Sequence, residues 1–125
     1  MKSILWLNTV AEAAIAVGMF TMPGSFFPGA VDLPAAIARA FSFAILTVAF
    51  ISLSVSGKNT SPETLKNGVT ILAVYHVLQL LAQFVNASIY PPMLIPPVVI
   101  HTVFSTLFIA YFVVLNRQRA VVHAR

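Results

Sequence analysis

The sequence predicts an all-α membrane protein: an integral four-helix bundle running up-down-up-down, with both termini cytoplasmic. Three observations carry this. First, only 8% of the 125 residues are charged and 59% are hydrophobic, with mean hydropathy +0.94, whereas a water-facing domain carries about a quarter charged residues. Second, the chain contains four apolar stretches, each near the length needed to cross a hydrocarbon core of about 30 Å. Third, the basic residues gather on one side of those stretches. Backbone polar groups in lipid must be paired within their own segment, so the stretches are expected to be helices. At this length the chain has room for a single transmembrane domain.

The first stretch spans about 4–22 and stops at Pro23-Gly24. Asn8 and Glu12 interrupt it and no small-residue cleavage pattern follows, so it reads as a retained span rather than a leader. The second, about 34–55, opens on Pro34, a favoured first-turn residue, and ends before Ser56-Gly57. The third follows Ser61 as N-cap, with Glu63 in the first turn, and crosses over about 66–86. The fourth follows Pro96-Pro97 and covers about 97–115. The remainder, 116–125, reads as a short, mobile basic tail suited to anionic headgroups.

Lys2, Lys58, Lys66, Arg117, Arg119 and Arg125 all fall on one side of a four-span chain. The loops Gly24 to Leu33 and Ala87 to Pro96 hold no Lys or Arg. The positive-inside bias then makes the termini and the 56–67 loop cytoplasmic. The expected location is the bacterial inner (plasma) membrane. The net charge of +4 is explained by this topology, and no nucleic-acid partner is expected. Both outer loops are apolar and are expected to lie in the interface or roof the bundle.

Polar residues inside a membrane are costly and call for a partner or a purpose. Glu12 lies one turn after Asn8. His76, Gln79, Gln83 and Asn86 form a stripe on the third span. Arg39 precedes Ser42 by about a turn on the second, and His101 precedes Ser105 on the fourth. Counted at 1.5 Å per residue, Glu12 and His76 fall at one depth, roughly 12 Å from the inner boundary, with Arg39 and His101 in the outer third. The four stripes are expected to converge. Asn8, Glu12, Arg39 and His76 would form a buried polar network, and Arg39, Phe43, His76, Gln79, Gln83, His101, Phe104, Ser105 and Phe108 would line a ligand pocket beneath the outer loops. A purely structural network is the competing reading, since interhelical hydrogen bonds in lipid are worth about 0.6–2 kcal/mol each.

Other chemistry is weakly encoded. Cysteine is absent, which removes thiolate nucleophiles and thiolate metal ligands. Two histidines on different helices without a Glu-x-x-His pattern do not make a metal centre, so no metal or cofactor is expected. A trio of Ser105, His101 and Glu12 lacks any nucleophile elbow. Asn59-Thr60-Ser61 and Asn86-Ala87-Ser88 match the glycosylation triplet, but the first would be cytoplasmic. Ala14 and Gly18, with Ala36, Ala40 and Ala44, recur at four-residue spacing and are expected to seat the first two helices against each other.

The layout resembles the small four-helix membrane proteins grouped as DoxX-like. Asn8 and Glu12 early in span one, the Met22-Pro23-Gly24 end, the Ala-rich second span with Arg39, and the His-bearing third and fourth spans carry the likeness over nearly the whole chain. It implies a fold shared with accessory subunits, chaperone-like membrane proteins and, more distantly, sterol-handling EXPERA proteins. The expected function is a binding or accessory protein that holds a lipid or small hydrophobic molecule in an outward-facing, polar-floored pocket, or docks to a membrane partner or a second copy. The alternatives are a lipid-modifying, isomerase-like enzyme with Glu12 and His76 as acid–base pair, and a proton or ion path.

Overall fold

A computed structural model of the chain describes residues 2–26, 32–85 and 95–123. Every element is helical: α1 (Lys2–Thr21), the single turn α2 (Pro23–Phe26), α3 (Asp32–Val55), α4 (Pro62–Val85) and α5 (Ile95–His123). All four long helices contain a segment long and apolar enough to cross a membrane: Lys2–Thr21, Ile37–Val55, Pro62–Phe84 and Pro97–Arg117. The expected roofing loops fall mostly on residues 27–31 and 86–94, outside the described residues.

The helix boundaries follow local chemistry. α1 and α2 meet at Met22, whose N–H still donates to the Gly18 carbonyl, while its own carbonyl accepts from Ser25. Pro23, lacking an N–H, is tolerated at the start of the next turn. At the end of α3 the Ser56 N–H and hydroxyl both donate to the Leu53 carbonyl. Ser61 caps α4 as expected: its Oγ accepts from the Thr64 N–H at 3.1 Å, and Glu63 places negative charge at the helix's positive end.

One boundary differs clearly. The basic tail is helical: α5 runs through Asn116 and Arg117 to His123. No Gly or Pro interrupts 116–123, and Arg, Gln and Ala are good helix formers, so nothing local stops propagation. At 29 residues the helix is about 44 Å long, some 14 Å more than a hydrocarbon core.

The chain divides into two compact units, Lys2–Lys58 and Asn59–Arg125, each a helical hairpin. In the first, α1 and α3 are antiparallel. The register is fixed by the Ser52 hydroxyl donating to the Leu5 carbonyl at 2.8 Å, by Thr9 reaching the Ala49 carbonyl, and by Lys2 Nζ donating to the Gly57 carbonyl. The buried face of α1 is Leu5, Asn8, Glu12, Ala16 and Met19, a three-and-four spacing that places all five on one stripe. Ala16 and Met19 pack with Ala38 and Ile45 of α3.

The small-residue expectation is therefore corrected in phase. Ala16 and Ala38 seat the hairpin, whereas Ala14, Ala40 and Ala44 are exposed and Gly18 is half-buried. Both helices are apolar on nearly every side, so spacing alone did not identify the face that packs.

In the second unit α4 and α5 are antiparallel. His76 lies against His101, Phe104 and Phe108, and toward the other end Lys66 Nζ sits 5.5 Å from the centre of the Phe112 ring. An ammonium over an aromatic face at that range is electrostatically attracted to it.

Candidate functional site

Each hairpin carries its own concentration of unusual residues. In the α4–α5 hairpin it is a histidine pair. His76 and His101 are both buried, and their Nδ1 atoms lie 2.9 Å apart. That distance is a hydrogen bond, so one ring holds a proton on Nδ1 and the other presents a bare Nδ1 to accept it. The rings sit in an aromatic sleeve. Phe104 and Phe108 stack on His76 with centroids at 5.0 and 5.6 Å, and Tyr75 meets both imidazoles edge-on.

The pair exists because α5 presents His101, Phe104, Ser105, Phe108 and Tyr111 as one buried stripe, again at three-and-four spacing. Five residues expected in the site, His76, His101, Phe104, Ser105 and Phe108, thus share one hairpin's buried face. Their depth differs from expectation, since counting from the apolar runs placed His76 well below His101. Helix ends are uncertain by a residue or two from sequence, and the stagger of two helices is set by packing rather than by either sequence. Gln79 and Gln83 are half-buried on α4. Ser105 Oγ is buried and has no hydrogen-bond partner among the described residues. Thr9, Thr70 and Thr106 instead return their hydroxyls to the carbonyl four residues back. The trio of Ser105, His101 and Glu12 gains no Ser–His bond among the described residues.

In the α1–α3 hairpin, Asn8 and Glu12 are fully buried, as expected for a polar network. Arg39 is not part of it. Its side chain is exposed, and its Nε donates to the Phe20 carbonyl at 3.4 Å. Phe20 is eight residues beyond Glu12, about 12 Å along the helix. The hairpin register puts Glu12 level with Ile45 and Leu46, which are apolar. Arg39 is two turns away on a different face, so the mutual compensation expected of Glu12 and Arg39 does not arise in this hairpin.

Arg39 instead attends a groove that sequence reasoning did not find. Ala16, Val17, Phe20 and Thr21 of α1 and Ser42, Phe43 and Leu46 of α3 line a cleft of about 300 Å³. Val17, Phe20 and Phe43 are 57%, 46% and 60% exposed, so the cleft opens sideways. Phe20 and Phe43 meet edge-to-face at 5.6 Å. Arg39 precedes Ser42 and Phe43 by one turn, and Ser42 Oγ donates to its carbonyl at 2.6 Å. Of the residues expected to line a pocket, the first hairpin supplies Phe43 to a separate, apolar-walled groove, while Arg39 touches it only through its bond to the Phe20 carbonyl. The missed signal was the pairing of small Ala16 and Ser42 between bulky Phe20 and Phe43, which leaves a gap on the hairpin face.

Comparison with protein families, curated proteins and solved structures finds no match to this chain.

Proposed function

We propose that this is a multi-pass membrane protein of DoxX-like layout that binds an amphiphile, its apolar chain in the α1–α3 groove and its anionic headgroup on Arg39. The groove, with Arg39 held against it by the bond from its Nε to the Phe20 carbonyl, carries this reading. Its volume of about 300 Å³ lies at the lower edge of ligand clefts, which run about 300–1,000 Å³. The walls offer apolar contact, and the guanidinium supplies a fork of donors suited to a phosphate or carboxylate. Beyond the Nε contact with Phe20, the other four donors of Arg39 meet no partner among the described residues. A phospholipid of a bacterial inner membrane supplies both parts in one molecule.

This reading places the four long helices as spans with both termini and the 56–61 turn cytoplasmic. Arg39 then sits toward the outer headgroups, where a long basic side chain is least costly. Single cysteines test the topology cleanly, because the chain has none of its own. In intact cells, Cys at Asn59 is expected to be shielded from an impermeant reagent and Cys at Ser88 to react. The reverse pattern would overturn the orientation.

Binding is tested by native mass spectrometry with phosphatidylglycerol and phosphatidylcholine. Arg39→Gln is expected to weaken phosphatidylglycerol binding by about tenfold, the scale of one charge-assisted contact, and to leave phosphatidylcholine nearly unchanged. Val17→Trp, which fills the groove, is expected to weaken both. Unchanged retention of both lipids in both variants would end the proposal.

A further inference from the structure

The histidine pair takes no part in the lipid-binding reading, and its geometry supports a separate site. We propose that His76 and His101 together chelate one late first-row transition-metal ion through their Nδ1 atoms. Imidazole nitrogen suits zinc, copper and nickel and discriminates against magnesium and calcium, which prefer oxygen.

The distances fit with little movement. Two imidazole nitrogens bound to one ion at about 2.0–2.1 Å, with a tetrahedral angle between them, stand about 3.3 Å apart. The observed 2.9 Å needs to open by about 0.4 Å. In the empty pair one Nδ1 carries the shared proton. Metal binding requires that ring to shift to its Nε2–H tautomer, which frees both Nδ1 lone pairs without net proton release. The two rings are already turned nitrogen to nitrogen inside a sleeve formed by Tyr75, Phe104 and Phe108, so little side-chain entropy remains to be lost on binding.

A second observation points the same way. Ser105 Oγ lies one helical turn beyond His101, is buried, and has no hydrogen-bond partner among the described residues. A buried hydroxyl left unpaired carries a desolvation cost that a bound partner would remove. Two neutral imidazoles leave coordination positions and positive charge to be met by a further ligand. Ser105 is placed on the stripe that would hydrogen-bond to that ligand.

The test uses the full-length, tag-free protein in lipid nanodiscs, titrated with zinc(II), copper(II) and magnesium(II), with bound metal counted by mass spectrometry after dialysis. About one zinc or copper per chain is expected, and no retained magnesium. His76→Gln and His101→Gln are each expected to weaken binding by at least tenfold, while His123→Ala leaves it unchanged. Should either core variant misfold, the copper(II) form of the unaltered protein decides the matter. Its electron paramagnetic spectrum is expected to show coupling to two imidazole nitrogens, and coupling to one or none overturns the proposal. Absence of stoichiometric zinc or copper, or retention of the ion in both folded core variants, overturns it equally.

Discussion

Phe108→Ala is expected to destabilise the protein by about 3–4 kcal/mol, while Ile109→Ala, one residue along, changes stability by less than about 0.5 kcal/mol. Phe108 is fully buried and stacks on both His76 and Phe104. Its removal leaves a hole the size of an aromatic ring, lined by rings that lose their contacts outright. Ile109 is 48% exposed on the face expected to meet lipid. An acyl chain there is as apolar as the side chain it replaces, so truncation leaves no void. Reversible unfolding in mixed detergent micelles measures both. Equal costs would mean that the buried stripe of α5 is not the one from His101 to Tyr111.

Ala16→Leu is expected to cost about 1–3 kcal/mol, and Ala14→Leu or Ala40→Leu almost nothing. Ala16 is fully buried in the cluster of Met19, Ala38 and Ile45. Three added carbons have no room there unless α1 and α3 move apart, which would stretch the Ser52–Leu5 hydrogen bond of 2.8 Å. Ala14 and Ala40 are exposed, so a larger side chain there extends away from the hairpin without a clash. The same unfolding assay separates the three variants. A large loss at Ala14 or Ala40 with none at Ala16 would restore the packing face expected from small-residue spacing. In either outcome the comparison identifies the interface without reference to function.

The candidate sites were legible to different degrees. His101, Phe104, Ser105 and Phe108 were identifiable because three-and-four spacing on one helix is a local property. The meeting of His76 with His101 was not, because it depends on the stagger of α4 against α5. The groove was further from view, since a cleft is made by what two helices fail to fill. Arg39 was singled out as an unusual cation within an apolar stretch but given a partner, Glu12, that it does not meet in its hairpin. A charge invites pairing with the nearest opposite charge, and sequence does not reveal that Glu12 and Arg39 lie two turns apart on different faces.

By itself the sequence determined the four long helices, the Ser61 cap and the stop at Met22-Pro23-Gly24. Each of these rests on hydrogen bonds and propensities within a few residues of chain. Only the tertiary structure decided which side of each helix is buried, how deep one histidine lies against the other, and where Arg39 points. In water the polar face of a helix marks its outside. Here the exposed and buried faces are equally apolar, so the helical phase is nearly silent in the sequence and is set by the fit of Ala16 to Ala38 and of His76 to His101.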